Sequence, residues 1–425
     1  MQASRLGLQV RLYEMRPGVM TPAHRSGRLA ELVCSSSLKS DNPETAHGLL
    51  KEEMRALGSV VLECAAESAV PGGDALCVDR DAFADLVTRR IESDPNIQVI
   101  RSELIDIPAE RPCIVATGPL TSPKMCESIV KTLGCREIRF FDAIAPSVYA
   151  DSIDRSKVFA QSRYDKGEAA YLNCPMNREE YERFIDELLS ARIAHLHLDE
   201  ERDPRYFEGC LPIEVIARRG RDTLAHGAMK PVGLTDPRTG RRPYAVVQLR
   251  QENAEASIYG LVGFQTQLRQ SEQERVFRLI PGLERAVFAR YGAVHRNTYI
   301  DSPRHLEPTL RSRIYPGLFF AGQLTGVEGY MESAASGIVA GLNAGRFALG
   351  LEPSLPPLET MIGALLHYVS CFDGPDFQPM NSNLGLLPAV NSDIPKQMRR
   401  KAKLDAARKA MAEWVAGMGG DVLLV

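Results

Sequence analysis

Residues 317–345, GLFFAGQLTGVEGYMESAASGIVAGLNAG, constrain this chain more than any other stretch. An apolar run is followed by a turn holding Gly322, Gly326 and Gly329, then by a helical run beginning near Glu332. A strand that leads through glycines into a helix aims backbone N–H groups and a helix N-terminus at an anion. Ser333, Ala334, Ala335, Ser336, Gly337 and Gly341 keep the helix thin, so a planar cofactor can lie close to its backbone. Taken singly, these glycines are equally well explained by tight helix–sheet packing.

Two further stretches shift that balance. CIVATG, residues 113–118, is a short apolar run stopped by Gly118 and Pro119, the pattern of a fully buried parallel strand. In LGLQVRLYEMRP, residues 6–17, Leu8, Val10 and Leu12 alternate over a strand at 8–13 that ends in Glu14. An acid in that place holds a ribose hydroxyl in dinucleotide-binding units, about 20 residues after a G-x-G-x-x-G turn. Only thirteen residues precede Glu14, and Gly7 is the sole glycine among them. The three stations together point to a flavin or nucleotide site.

Between these stations, GLLKEEMRALGSVVLECA reads as one helical run with Leu49, Leu50, Met54 and Leu57 on a shared side. ALCVDRDAFADLVTRRIES reads as a strand and a helix capped by Asp79 or Asp81, and IQVI as a strand at 97–100. From about 145 the character changes, and YAVVQLRQ and SIYGLVGFQT read as two paired strands. The expected fold is α/β: a Rossmann-like, glutathione-reductase-like FAD-binding domain in two parts, 1–145 and 301–390. An α+β domain at 146–300 interrupts it, and a basic amphipathic C-terminal helix occupies 391–425.

A formal net charge of −3 excludes a generally basic nucleic-acid binder, so a polyanion must meet local patches such as ARRGRDT, DPRTGRRP and KQMRRKAK. Nine cysteines without regular spacing argue against a disulfide framework and for a reducing, cytoplasmic setting. No C-x-x-C pair exists and His195/His197 stands alone, so no metal is expected. No apolar run reaches the roughly 18 residues of a membrane span, and no signal-peptide pattern opens the chain. Among the cysteines, Cys34 in ELVCSSSLKS and Cys210 in YFEGCLPIE have polar or glycine neighbours able to favour a thiolate. Cys113 lies in an apolar strand. Cys64, Cys77, Cys126, Cys135, Cys174 and Cys371 read as structural.

VRLYEMRP, ELVCSSSLKS, GLLKEEMR, VDRDAF, ATGPLTS, SRYDKGEAAYLNCPM, YFEGCLPIE, MKPVGL, RPYAVVQLRQ, HRNTYI, FFAGQLTGVEGYMESAASGIVAGLNA and FQPMN occur in that order over about residues 8–390. Together they resemble the bacterial folate- and FAD-dependent tRNA (uracil-5-)-methyltransferases. Related flavoproteins that modify the wobble uridine share the flavin framework, but YFEGCLPIE and MKPVGL are not expected in them. Ser36 and Gln270 depart from the family, where Asn and Trp are expected. The family also begins with a first strand and a G-x-G-x-x-G turn, whereas QASRLG resembles only the end of the helix that follows. About 20 residues of that unit are therefore expected upstream of Met1.

The resemblance implies transfer of a methylene from 5,10-methylenetetrahydrofolate, by way of reduced FAD, to C5 of the T-loop uridine of tRNA, with NADPH or NADH as reductant. It implies Cys210 as the thiol that adds to C6 and Cys34 as a second active-site thiol. It places Glu14, Arg16, Thr117, Gly118, Gly322, Gly326, Gly329 and Tyr330 at the cofactor. Lys230, Arg250 and Arg296 are candidates for anionic groups of folate or RNA. The T-arm of tRNA is the expected partner, with no membrane and no protein partner. The alternatives are an RNA-binding homologue whose catalysis is impaired by the missing turn, or another flavin-dependent oxidoreductase acting on tRNA.

Overall fold

Val10 and Leu12 are half-buried while Arg11 and Tyr13 are exposed, the period of two that a one-faced strand requires. The computed structural model describes residues 1–135, 137–165, 168–194, 211–391 and 393–418, leaving aside the side chains of 137–142, 295 and 296. In it this strand begins at Val10 rather than Leu8 and pairs in parallel with Ile97–Ile100. Cys113–Val115 pairs in parallel with Leu318–Phe320. The latter strand is fully buried, but the former is not, because Ile114 is 38% exposed. Alternation turns Ile114 to the face opposite Val115. Among the described residues, this strand has a ladder on only one edge.

The helical run after Thr45 is two helices, not one. Ala46–Ala56 ends where Gly58 takes φ +64°, and Val60–Glu67 restarts behind Ser59, whose side chain accepts the Leu62 N–H. A residue with a Cβ pays for that left-handed geometry, so glycine sets the break. Leu49, Leu50, Met54 and Leu57 are all completely buried. Asp79, not Asp81, caps Arg80–Glu92 by accepting the N–H groups of Asp81 and Ala82.

The helix Tyr330–Ala348 begins two residues earlier than expected. Its small residues serve two neighbours. A Cβ on Gly345 would come within 2.5 Å of Leu6 Cδ1, and one on Gly341 within 3.3 Å of Gln2 Cβ, so these two glycines are packing positions. A Cβ on Gly337 would meet nothing within 4 Å, because that turn faces open space.

The chain leaves this domain through Glu137–Ile144 and returns through Ala293–Ile300, two strands that pair antiparallel along their length. Between them lies a six-stranded antiparallel sheet ordered Phe288–Arg290, Ser147–Tyr149, Ile258–Leu261, Ala245–Gln251, Tyr171–Met176 and Phe159–Ala160. The helix Arg178–Ser190, started by a capping box between Asn177 and Glu180, belongs to this second core. Phe184, Phe264 and Phe277 are fully buried there, each contributing about 1.5–3 kcal/mol of apolar burial. The C-terminal helix Arg399–Gly417 buries only Leu404, Ala407 and Met411. Its basic side chains reach the first domain: Arg408 pairs with Glu52 at 3.0 Å and donates to the Pro43 carbonyl.

The two domains are tied near Asp79. One of its oxygens caps the helix and the other accepts the Ala254 N–H at 2.9 Å. Arg80 pairs with Glu252 at 2.9 Å, and Tyr171 donates to the Gly72 carbonyl. Cys371 is exposed, unlike the other cysteines read as structural.

Candidate functional site

The carboxyl ends of Val10–Tyr13, Cys113–Val115 and Leu318–Phe320 open on one cavity of about 730 Å³. Open α/β sheets place their ligands at this end of the strands, and the volume suits a large cofactor or ligand. The inserted domain closes the far wall with Arg250, Glu252, Gly260–Gly263 and Arg290. Glu14, Arg16, Cys34, Thr117, Gly118, Gly322, Gly329 and Tyr330 all line this cavity. Gly326 does not: a Cβ there would lie 2.6 Å from Phe377 Cζ, so it packs behind the turn.

Glu14 follows its strand directly. It receives both Arg16 Nε and Nη2 at 3.0 Å and the Arg16 N–H at 2.9 Å. Burial opposes its ionisation, but these bonds outweigh it and hold the carboxyl below its ordinary value. A fixed carboxylate at this strand end can accept from a ribose hydroxyl.

Across the cavity, Gly322 and Gly329 have φ +77° and +119°. They bring the N-terminus of Tyr330–Ala348 to the wall without a capping side chain. That end supplies uncapped N–H groups for an anion or an electron-rich ring edge. The open space beside Gly337 is what a planar cofactor needs. The residues present therefore fit a flavin dinucleotide, with Glu14 at one end and the Tyr330 helix at the other.

Glu332, in the first turn of that helix, is almost fully buried and carries a cluster absent from the sequence expectations. It accepts the Ser382 N–H and Oγ at 3.1 and 2.7 Å and Lys39 Nζ at 3.2 Å, with His47 Nδ1 at 3.5 Å. Burial raises its carboxyl, but Lys39, His47 and Ser382 prevail and hold it far below the ordinary range. Lys39 lines the cavity.

The Cys34 loop is clamped from both domains. Tyr330 Oη accepts the Cys34 N–H at 2.8 Å. The Cys34 carbonyl accepts Arg80 Nη2 at 2.9 Å and Arg290 Nη2 at 3.0 Å. Leu32 and Val33 carbonyls accept the other ends of the same two guanidiniums. Arg250 donates to Ser35 Oγ at 2.6 Å. Burial, reinforced by Arg80, pulls the Arg290 guanidinium down to about 10, still charged at neutral pH. Burial also pushes the Tyr330 phenol up, so it stays protonated.

Cys210 lies outside the described residues, as do His195 and His197, and the Arg296 side chain is likewise not described. Lys230 is exposed and not on the cavity wall. Arg250 is on it. Lys39, Arg80 and Glu332 lie in segments that carry the resemblance, yet their roles here, like those of Glu252 and Arg290, exist only once distant segments meet.

The family described as glucose inhibited division protein A matches residues 1–352. Proteins named methylenetetrahydrofolate–tRNA-(uracil-5-)-methyltransferase TrmFO are close in sequence. That of Moorella thermoacetica is 55% identical over 414 residues, covering 97% of this chain and 94% of its own. That of Symbiobacterium thermophilum is 55% identical, covering 100% and 95%. Among solved structures, GidA of Aquifex aeolicus superposes with a TM-score of 0.66 at 18% identity, covering 97% of this chain and 71% of its own. That likeness shows the fold expected from the sequence.

Proposed function

The chain belongs to the methylenetetrahydrofolate–tRNA-(uracil-5-)-methyltransferases within the glucose inhibited division protein A family, and on that premise we propose how its residues divide the work. It is a folate-dependent tRNA uridine methyltransferase and a flavoprotein. The T-loop uridine as the target, the T-arm as the bound element and NADPH or NADH as the reductant are the finer parts of the reading. The observation that carries it is the shared cavity at the strand ends, where Glu14, the Tyr330 helix and Cys34 meet.

C5 of uracil is a weak nucleophile. A thiolate that bonds to C6 drives the C5–C6 electron pair toward the C4 carbonyl, so C5 becomes enolate-like and attacks a one-carbon unit. Loss of the C5 proton then expels the thiolate. Cys210 is assigned the bond to C6, and Cys34, on the cavity wall, the second thiol near C5. FAD, when bound, would supply the reducing chemistry of the one-carbon transfer. Glu14 and Arg16 would hold its ribose end, Thr117 and Gly118 the adjoining strand end, and Gly322, Gly329 and Tyr330 the ring end.

Among the described residues, no helix is long and apolar enough to cross a membrane. The test is methylation of an unmodified tRNA by the flavin-loaded protein, with labelled methylenetetrahydrofolate and NADPH or NADH supplied in turn. Label at C5 of the T-loop uridine, dependent on folate and reductant, is expected. Flavin reduction that proceeds without any folate-dependent labelling would overturn the reading.

A further inference from the structure

The clamp on Cys34 is built for more than holding a loop. Arg80 comes from the first domain, and Arg290 and Glu252 come from the second. Arg80 pairs with Glu252 Oε1 at 2.9 Å, and Arg290 lies 3.9 Å from the same oxygen. Arg250 adds a third guanidinium through Ser35. Glu252 thus faces two guanidiniums, and a third flanks the same loop. The Nε atoms of Arg80, Arg250 and Arg290 are buried without a hydrogen-bond partner, so part of their donor capacity is unspent.

The peptide groups show where that charge is directed. The Cys34 carbonyl is held by two guanidiniums and its N–H by Tyr330 Oη, which fixes the backbone on both sides of the residue. The residue itself lines the cavity beside Arg290 and Tyr330. Arg80, then Glu252, then Cys34 are the groups whose charge bears on Arg290. The neighbouring phenol of Tyr330 is neutral and adds no opposing charge. A thiol among excess guanidinium charge favours its thiolate.

We infer that Arg290 and Arg80 are positioning residues that fix the Cys34 loop and hold its sulfur as thiolate at neutral pH, with Glu252 as the counter-charge that limits the effect. Docking of the two domains then completes a reactive thiol, since neither domain alone contains the clamp. The inference rests on the reading of Cys34 as an active-site thiol only for its meaning in turnover. Its test uses neither folate nor tRNA, so its failure is distinct from failure of that reading.

The test is peptide-resolved alkylation of the full chain by iodoacetamide between roughly pH 5 and 9, the range in which perturbed and ordinary thiols separate. Cys371, an exposed thiol, is the internal reference, and fully buried Cys64 and Cys174 report any loss of fold. The Cys34 profile is expected to rise about one pH unit or more below that of Cys371. Arg290→Met should move it up by about a unit, and Glu252→Gln should move it down. The downward shift matters because unfolding would expose the thiol to water and could not produce it. Coincident wild-type profiles for Cys34 and Cys371 would overturn the inference, as would an upward or absent shift in Glu252→Gln. If Arg290→Met labels Cys174, the wild-type offset and the Glu252→Gln shift decide.

Discussion

Lys39 Nζ and the Glu332 carboxylate lie 3.2 Å apart, and the pair is packed directly against Gly329 at the start of the helix that ends the cavity. A Cβ on Gly329 would fall 2.3 Å from Glu332 Oε2 and 2.8 Å from Lys39 Nζ. The glycine is therefore required by the ion pair as well as by its own φ of +119°. Lys39 spans the two environments: its carboxylate partner is inside the protein, while its own side chain reaches the cavity wall.

Glu332→Gln should lower stability at pH 7 by about 2–3 kcal/mol, less than a fully buried pair because Lys39 is one-third exposed. The folded carboxyl titrates below its ordinary 4.5. Its contribution is thus complete above that value and is lost as pH falls toward the depressed one. Urea midpoints of wild type and variant should differ fully at pH 7 and converge below about pH 4.5. A gap that stays constant down the acid range would contradict the ion-pair account.

Glu53 joins two helices far apart in sequence. It is buried, and its oxygens accept the N–H groups of Met361 and Ile362 at 2.7 and 2.8 Å, the first free donors of Met361–Cys371. Glu53→Ala leaves both donors buried and unmet, a loss of about 2–4 kcal/mol. Glu53→Gln keeps one acceptor and should lose less. Chemical denaturation of the two variants checks the order, and equal losses would show that the contact is not the cause.

Much of this architecture is readable from residue pattern, and what is not has a definite cause. The strand Val10–Tyr13, the Asp79 cap and the strand–turn–helix at 318–348 depend on neighbours within a few residues, so local chemistry exposes them. The break at Gly58 leaves no periodic signal, because apolar spacing runs unchanged through it, from Leu57 to Leu62. The apolar run at 113–118 reads as buried, but the exposure of Ile114 depends on what lies beside its strand, not on its own run. At the site, Glu14, Cys34 and Gly322 sit in recognisable segments. Arg80 sits in one as well, but it becomes a unit with Glu252 and Arg290 only where the two domains meet at Cys34.

Replacing each of the two thiols assigned to the proposed chemistry should divide the reaction. Cys210→Ala is expected to bind flavin and tRNA yet leave C5 unmethylated, because no other thiol takes the bond to C6. Cys34→Ala should retain flavin and lose at least about a hundredfold in methylation rate, the lower end of what a positioned acid–base group contributes. Labelled methyl transfer with a visible spectrum of each variant checks both. Normal methylation by Cys210→Ala would remove it from the chemistry.

Gly337 offers the cleanest separation of fold from cofactor binding. It lies inside Tyr330–Ala348 and on the cavity wall, and a Cβ there meets no atom within 4 Å. Alanine in a helix interior is favoured over glycine by up to about 1 kcal/mol, so Gly337→Ala should unfold at a slightly higher temperature without flavin. The added methyl occupies space that a ring lying against the helix would use, so flavin should bind less tightly. Gly341→Ala is the contrasting case, since its Cβ would crowd Gln2 at 3.3 Å away from the cavity. It should lower stability and leave flavin affinity nearly unchanged. Thermal melts of the flavin-free proteins and flavin titrations give the two readouts. If Gly337→Ala bound flavin as tightly as wild type, the thin turn of this helix would be a packing feature rather than part of the cofactor site.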